Sequence, residues 1–177
     1  MEQETYRAEL PTEKAGEKSS GFIEKSLDRI TDMVQHLDHQ INIVIGISIA
    51  IFAFTASIFE KGESLPILFM MLFSAVAALV GLVAIHPPHS MRKRGQDESL
   101  LYRKKIESFS SADDYLKAAQ EMTESEEEID RNYAVETYNL CKFYYRPKRK
   151  LFHIARQLLF IGIALSLATF VIELFVF

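Results

Sequence analysis

The sequence predicts an all-α membrane protein with three transmembrane helices, at about 41–59, 65–85 and 157–177, a long N-terminal helix continuous with the first span, and a cytoplasmic helical segment between the second and third. Three observations carry this. Ile41–Phe59 and Leu65–Ile85 contain no formal charge, and each is close to the ~20 apolar residues that cross a hydrocarbon core about 30 Å thick. A third apolar run closes the chain at Leu158–Phe177, with Glu173 its one charge. No stretch alternates convincingly at period two, so almost no sheet is expected. A soluble domain of this size would have to bury such helices on every side.

Residues 1–20 read as a flexible arm: rich in Glu and Lys, with Pro11, Gly16 and paired serines, and without the apolar core of a signal peptide. From residue 21 to 40 the pattern is an amphipathic heptad helix. Ile23, Leu27, Ile30, Val34, Leu37 and Ile41 recur at spacings of 4, 3, 4, 3 and 4, with Glu24, Lys25, Asp28, Arg29, Asp32 and Asp38 outside the seam and Ser19 or Ser20 as cap. Val44, Ser48, Ile51 and Thr55 keep the register into the first span. Such a seam must be covered, by the rest of the cytoplasmic segment or by the same helix of another copy; under three heptads outside the membrane favours the former.

Residues 41–85 form the hairpin, turning at Glu60, Lys61, Gly62, Glu63 and Ser64. Gly46, Ala50, Ala53 and Ser57 make a stripe of small residues on the other face of the first span. Ser74/Ala78 and Ala77/Gly81 on the second span, with Gly162/Ser166 and Ala164/Ala168 on the third, add small pairs that let helices approach closely in lipid. Together they predict a compact three-helix unit.

Pro87 and Pro88 end the second span beside a basic collar, and residues 86–150 follow as the cytoplasmic segment. A helix is expected over Asp97–Phe109, a second from a Ser110 or Ser111 cap to about Met122, and a third from Ser125, with Glu128 at capping-box spacing, toward Tyr145. The stripe of that third helix, Ile129, Tyr133, Leu140 and Tyr144, is interrupted by Glu136. Pro147 should break or kink the path before residues 151–177 form the last span. Lys and Arg number five in residues 1–40, one at the hairpin tip and thirteen over His86–Lys150, which places the N-terminus in the cytoplasm and the C-terminus on the far side.

Two constellations are candidate sites. Gly162, Ser166, Thr169 and Glu173 recur at 4, 3 and 4, a pore or packing face, although Glu173 near the chain end can equally reach the far headgroups. Tyr102, Arg103, Lys104, Tyr115, Arg131, Tyr133, Lys142 and Arg146 supply aromatic faces and cations that could hold a small anionic nucleotide, or form a helical core edged by bases next to anionic lipid. His36 and His39 lack a full ligand set for a metal, Cys141 reads as a small apolar filler, and no catalytic or phosphate-cradling motif occurs. No enzyme activity, cofactor, metal or nucleic-acid polymer is expected.

The order of parts resembles a family. The heptad helix feeding two spans, the exit Ala84-Ile85-His86-Pro87-Pro88, the run Leu100-Leu101-Tyr102 to Ile106, Ser110-Ser111-Ala112-Asp113-Asp114-Tyr115-Leu116, and the basic approach from Lys142 to Lys150 are similar to the membrane effectors of bacterial Pycsar anti-phage systems, over about residues 22–175. The resemblance implies an inner-membrane protein, a cyclic pyrimidine nucleotide (cyclic CMP or cyclic UMP) as activating ligand, and impairment of the host membrane. The residues alone imply a three-span helical protein, a lipid bilayer as partner, and homo-oligomerisation. The alternative function is a passive membrane scaffold that recruits a soluble partner through the cytoplasmic helices.

Overall fold

The computed structural model describes residues 12–60, 62, 64–88, 90–91 and 99–176, with side chains over 21–175 of these. They form α1 (Thr12–Phe59), α2 (Leu65–Ile85), α3 (Arg103–Glu107), α4 (Ala112–Thr123), α5 (Glu126–Asn139), a π-helical segment (Leu140–Tyr145) and α6 (Arg146–Val176). No strand occurs among the described residues. The helices containing the three expected spans are each long and apolar enough to cross a membrane. The chain divides into two compact units: Asp32–Arg94 with Cys141–Phe177, and Met1–Thr31 with Gly95–Leu140.

The first unit holds the spans, and its packing inverts that of a water-soluble core. Small residues fill the interior: Ser48 and Thr55 of α1, Ser74, Ala77, Ala78, Gly81 and Ala84 of α2, and Ala155 and Gly162 of α6. Large apolar side chains point outward, with Phe54 67%, Leu79 62%, Phe160 63% and Leu174 68% exposed. In water such a surface would drive aggregation; against lipid it is the solvated one, and small interior residues let backbones close on one another. Larger side chains gather at one end only, where Leu37, Ile41, Ile45, Ala84, Leu151 and Phe152 form a cluster flanked by Val44, Val80, Ile85 and Tyr145.

Two glycines set the interhelical distances. A Cβ on Gly81 would lie 2.6 Å from Ile45 Cγ1, and one on Gly162 would lie 2.5 Å from Phe73 Cβ. With Ala84 in the cluster beside Leu151 and Phe152, and Ser64 beside Glu173, α2 and α6 keep nearly residue-for-residue antiparallel register. On α1 the heptad face turns inward at Leu37, Ile41, Ser48 and Thr55, while Gly46, Ala50, Ala53 and Ser57 are exposed. Closer to its start, Ile23, Leu27, Ile30 and Val34 are half-buried.

Three local expectations change. The helix α1 starts at Thr12, ahead of the expected cap at Ser19 or Ser20, because Glu13, Lys14, Ala15, Glu17 and Lys18 are helix formers that outweigh one glycine; the rest of the expected arm, residues 1–11, lies outside the described residues. Of the expected helix Asp97–Phe109, residues 97 and 98 lie outside the described residues, and within 99–109 only Arg103–Glu107 is helical. There Ser99 Oγ accepts from Leu101 N at 3.0 Å and Asn132 Oδ1 accepts from Leu100 N at 3.1 Å, so side chains take the N–H groups a first helical turn would present. Pro147 neither breaks the chain's path nor stands in an ordinary ladder. The helix runs on from α5 through the wider π turns, which end two residues before Pro147, so the change of ladder from π to α falls beside the residue that lacks an N–H.

The expected caps do form in the second unit. Ser111 Oγ accepts from Asp114 N at 3.1 Å to open α4, and Ser125 Oγ accepts from Glu128 N at 3.4 Å to open α5. Asp113, Asp114 and Glu126–Glu128 occupy the first turns, where the helix dipole favours them.

Candidate functional site

In the membrane unit the third-span face packs on the hairpin. Gly162 is buried against Phe73, Ser166 and Thr169 are half-buried, and Glu173 is half-buried, with Ser64 Oγ donating to its Oε2 at 3.5 Å, the outer limit of a hydrogen bond. Thr169 Oγ1 donates to its own helix, to Leu165 O at 2.8 Å and Ser166 O at 3.1 Å. Thr55 and Ser74 are satisfied in the same way, by Ile51 O and Met71 O. The interior therefore has little polar bonding between helices, and van der Waals contact of small residues holds it.

At the cluster end stands a buried ion pair. Lys148 is 1% exposed, its Nζ donates to Asp38 Oδ1 at 2.6 Å, and the same ammonium lies 4.3 Å from the Tyr144 ring centroid. One helical turn separates Tyr144 from Lys148, so the ring covers the cation from its own helix, while Asp38 reaches it from α1. Leaving an ammonium unpaired in that position would be costly, and the pair ties the start of α6 to α1.

The eight nucleotide candidates fall in both units. Tyr102, Arg103, Lys104, Tyr115, Arg131 and Tyr133 belong to the helical unit, Lys142 and Arg146 to the membrane unit. Arg103 Nε pairs with Glu107 Oε1 at 2.6 Å, both side chains largely exposed, and Tyr115 packs edge-on to Phe109 at 5.6 Å between centroids. Tyr102 and Tyr133 are half-buried; Lys104, Arg131, Lys142 and Arg146 are exposed, with Lys142 Nζ 5.4 Å from the Phe143 ring. Cys141, expected as a filler, is exposed. Among the described residues no group of His, Cys, Asp and Glu could hold a metal ion.

A small-residue interior, large apolar exterior and three spans agree with the match of a family model for the Pycsar effector protein domain to residues 22–175. The chain belongs to this Pycsar effector family. No curated protein and no solved structure matches it.

Sequence reasoning about this Pycsar effector chain passed over two buried charges. Lys148 looked like part of the basic approach to the last span, yet it stands three, four and seven residues before Leu151, Phe152 and Ala155, all inward. That spacing is the signal that could have found it. Glu136 looked like a defect in an apolar stripe; it is 8% exposed and its Oε2 has no hydrogen-bond partner. Burial raises its carboxyl above the ordinary range. The folded chain then holds this proton to higher pH than the unfolded chain. Stability from this group is fully present below the unfolded carboxyl value and is lost as pH rises through the raised folded value. Glu136→Gln is expected to match the parent protein's thermal midpoint in acid and to exceed it above neutrality. Midpoints measured across that range check this, and a constant gap would refute it.

Proposed function

We propose that the chain is a membrane effector in which a ligand on the cytoplasmic helices shifts the three spans from a closed arrangement to one that leaks. Membership of the Pycsar effector family is the observation that carries this reading. The proposed ligand is a cyclic pyrimidine nucleotide, cyclic CMP or cyclic UMP, with phosphate and base taken up by Tyr102, Arg103, Lys104, Tyr115, Arg131 and Tyr133 of the helical unit. The proposed site of action is the bacterial inner membrane, with the N-terminus cytoplasmic and the C-terminus across the bilayer, as the Lys and Arg distribution favours. No catalytic residue or cofactor enters this reading.

Two features of the packing support a repacking mechanism. The hydroxyls of Thr55, Ser74 and Thr169, bonded within their own helices, let neighbouring spans move without losing these bonds. The exposed Gly46, Ala50, Ala53 and Ser57 stripe suits close approach of another copy. Moving one switch from mostly closed to mostly open takes about 5.5 kcal/mol of ligand preference, which several ligands can share in an oligomer.

Dye-loaded liposomes carrying the purified chain are expected to leak on addition of cyclic CMP or cyclic UMP and to stay tight without them. Absence of nucleotide-dependent release at every protein density would reject the proposal. Leakage with nucleotide but no crosslinkable oligomer would reject the shared-ligand form of it.

A further inference from the structure

The outward face of α6 carries a pattern that the leak mechanism does not use. Arg146, Arg149, His153 and Arg156 recur at spacings of 3, 4 and 3, the arginines exposed and His153 half-buried. The inward face of the same turns is Lys148, Leu151, Phe152 and Ala155. Arg146 and Arg149 make no ion pair among the described residues, whereas Arg156 Nη2 lies 3.3 Å from His153 Nδ1 and its guanidinium 5.7 Å from the Phe152 ring centroid. The stripe then continues at helical spacing as Phe160, Leu167, Val171 and Leu174, which are 63%, 59%, 49% and 68% exposed. Cations thus give way to outward apolar side chains where the chain enters its last uncharged stretch.

We propose that this stripe is a binding site for an anionic phospholipid, its phosphate held by Arg149, His153 and Arg156 and its acyl chains lying along Phe160, Leu167 and Leu174. Successive members of the basic row stand about one turn apart, within reach of a single phosphate, and guanidinium forks match phosphate oxygens in a way an ammonium does not. A second copy fits this face poorly. A parallel α6 would set arginine against arginine, α6 offers no acid other than Glu173 near its far end, and bulky side chains prevent the close approach that helix pairs need in lipid. The small stripe of α1 is the face for such a contact. A soluble anion would use the arginines but leave the apolar continuation bare.

The full chain in neutral detergent is titrated with phosphatidylglycerol, phosphatidylcholine or inorganic phosphate, and the thermal midpoint is followed. Phosphatidylglycerol is expected to raise it, and the other two to leave it unchanged. Arg149→Gln with Arg156→Gln should weaken the phosphatidylglycerol response about tenfold. Arg149→Lys with Arg156→Lys should weaken it less, and Lys117→Gln, at an exposed position of α4, not at all. Equal responses to the two lipids, an equal response to inorganic phosphate, or an unaltered response of the glutamine pair would each overturn the proposal. So would a change in crosslinked oligomer size in that pair without a change in lipid response, since the face would then be a contact between copies.

Discussion

Asp38→Ala lowers the stability of the detergent-solubilised protein by about 3–5 kcal/mol, while Lys148→Met leaves it within about 1 kcal/mol of the parent. The asymmetry follows from exposure. The Lys148 side chain is 1% exposed and that of Asp38 is 38% exposed, so removing the acid strands a buried cation, whereas removing the base leaves a carboxylate that water already reaches. The Tyr144 ring, 4.3 Å from the ammonium, cannot replace the lost partner. A cation over an aromatic face contributes about 2 kcal/mol when desolvated, less than the penalty of an unpaired buried charge. Methionine keeps the unbranched volume of lysine one helical turn before the buried Leu151 and Phe152, and it needs no partner. The double variant should recover most of what Asp38→Ala loses. Thermal or denaturant unfolding of the four proteins measures all of this, and equal losses from the two single variants would show that the pair is not the asymmetric one described.

Gly162→Leu is the second large effect. At Gly162 even a Cβ would stand 2.5 Å from Phe73 Cβ, an atom fixed to the α2 backbone that no rotamer change can move aside. The helices α2 and α6 must separate, and the register that runs from Ala84 to Ser64 loosens along its length. Overpacking of this kind costs about 1–3 kcal/mol, and in lipid the lost contact of small residues is the main attraction between these helices. Gly62→Leu is the matched control. It places the same side chain at the hairpin turn, off the stripe offered to another copy, with nothing within 4 Å of the new Cβ, so the thermal midpoint should not move. If both substitutions were equally harmless, the close approach of α2 and α6 would be wrong. If Gly162→Leu also raises dye release without nucleotide, loosening this contact opens the leak proposed above.

How much of this was legible varies residue by residue. The caps at Ser111 and Ser125 were readable because a cap is a short-range bargain between a hydroxyl and an N–H three residues on. The inward turn of Leu37, Ile41, Ser48 and Thr55 was readable from period alone. On the third span, the structure sets Gly162 against Phe73 and Glu173 beside Ser64 of the hairpin, neighbours that the spacing did not name. The stretch at Ser99–Tyr102 was not readable as a turn, since it depends on Asn132, distant in sequence. Nor was the path through Pro147, where a π segment absorbs what a proline ordinarily interrupts.

The sequence by itself determined the helical class, the three spans and their antiparallel order, because apolar length and periodicity are properties of contiguous residues and the bilayer selects on them directly. Tertiary structure alone decided which partner each buried charge meets and which glycines are indispensable. The period of Leu151, Phe152 and Ala155 marks the face on which Lys148 stands but not that Asp38 meets it there, and Gly162 differs from Gly46 only in what another part of the chain places beside it. Partnership across a hundred residues leaves no local mark, so only the folded chain shows it.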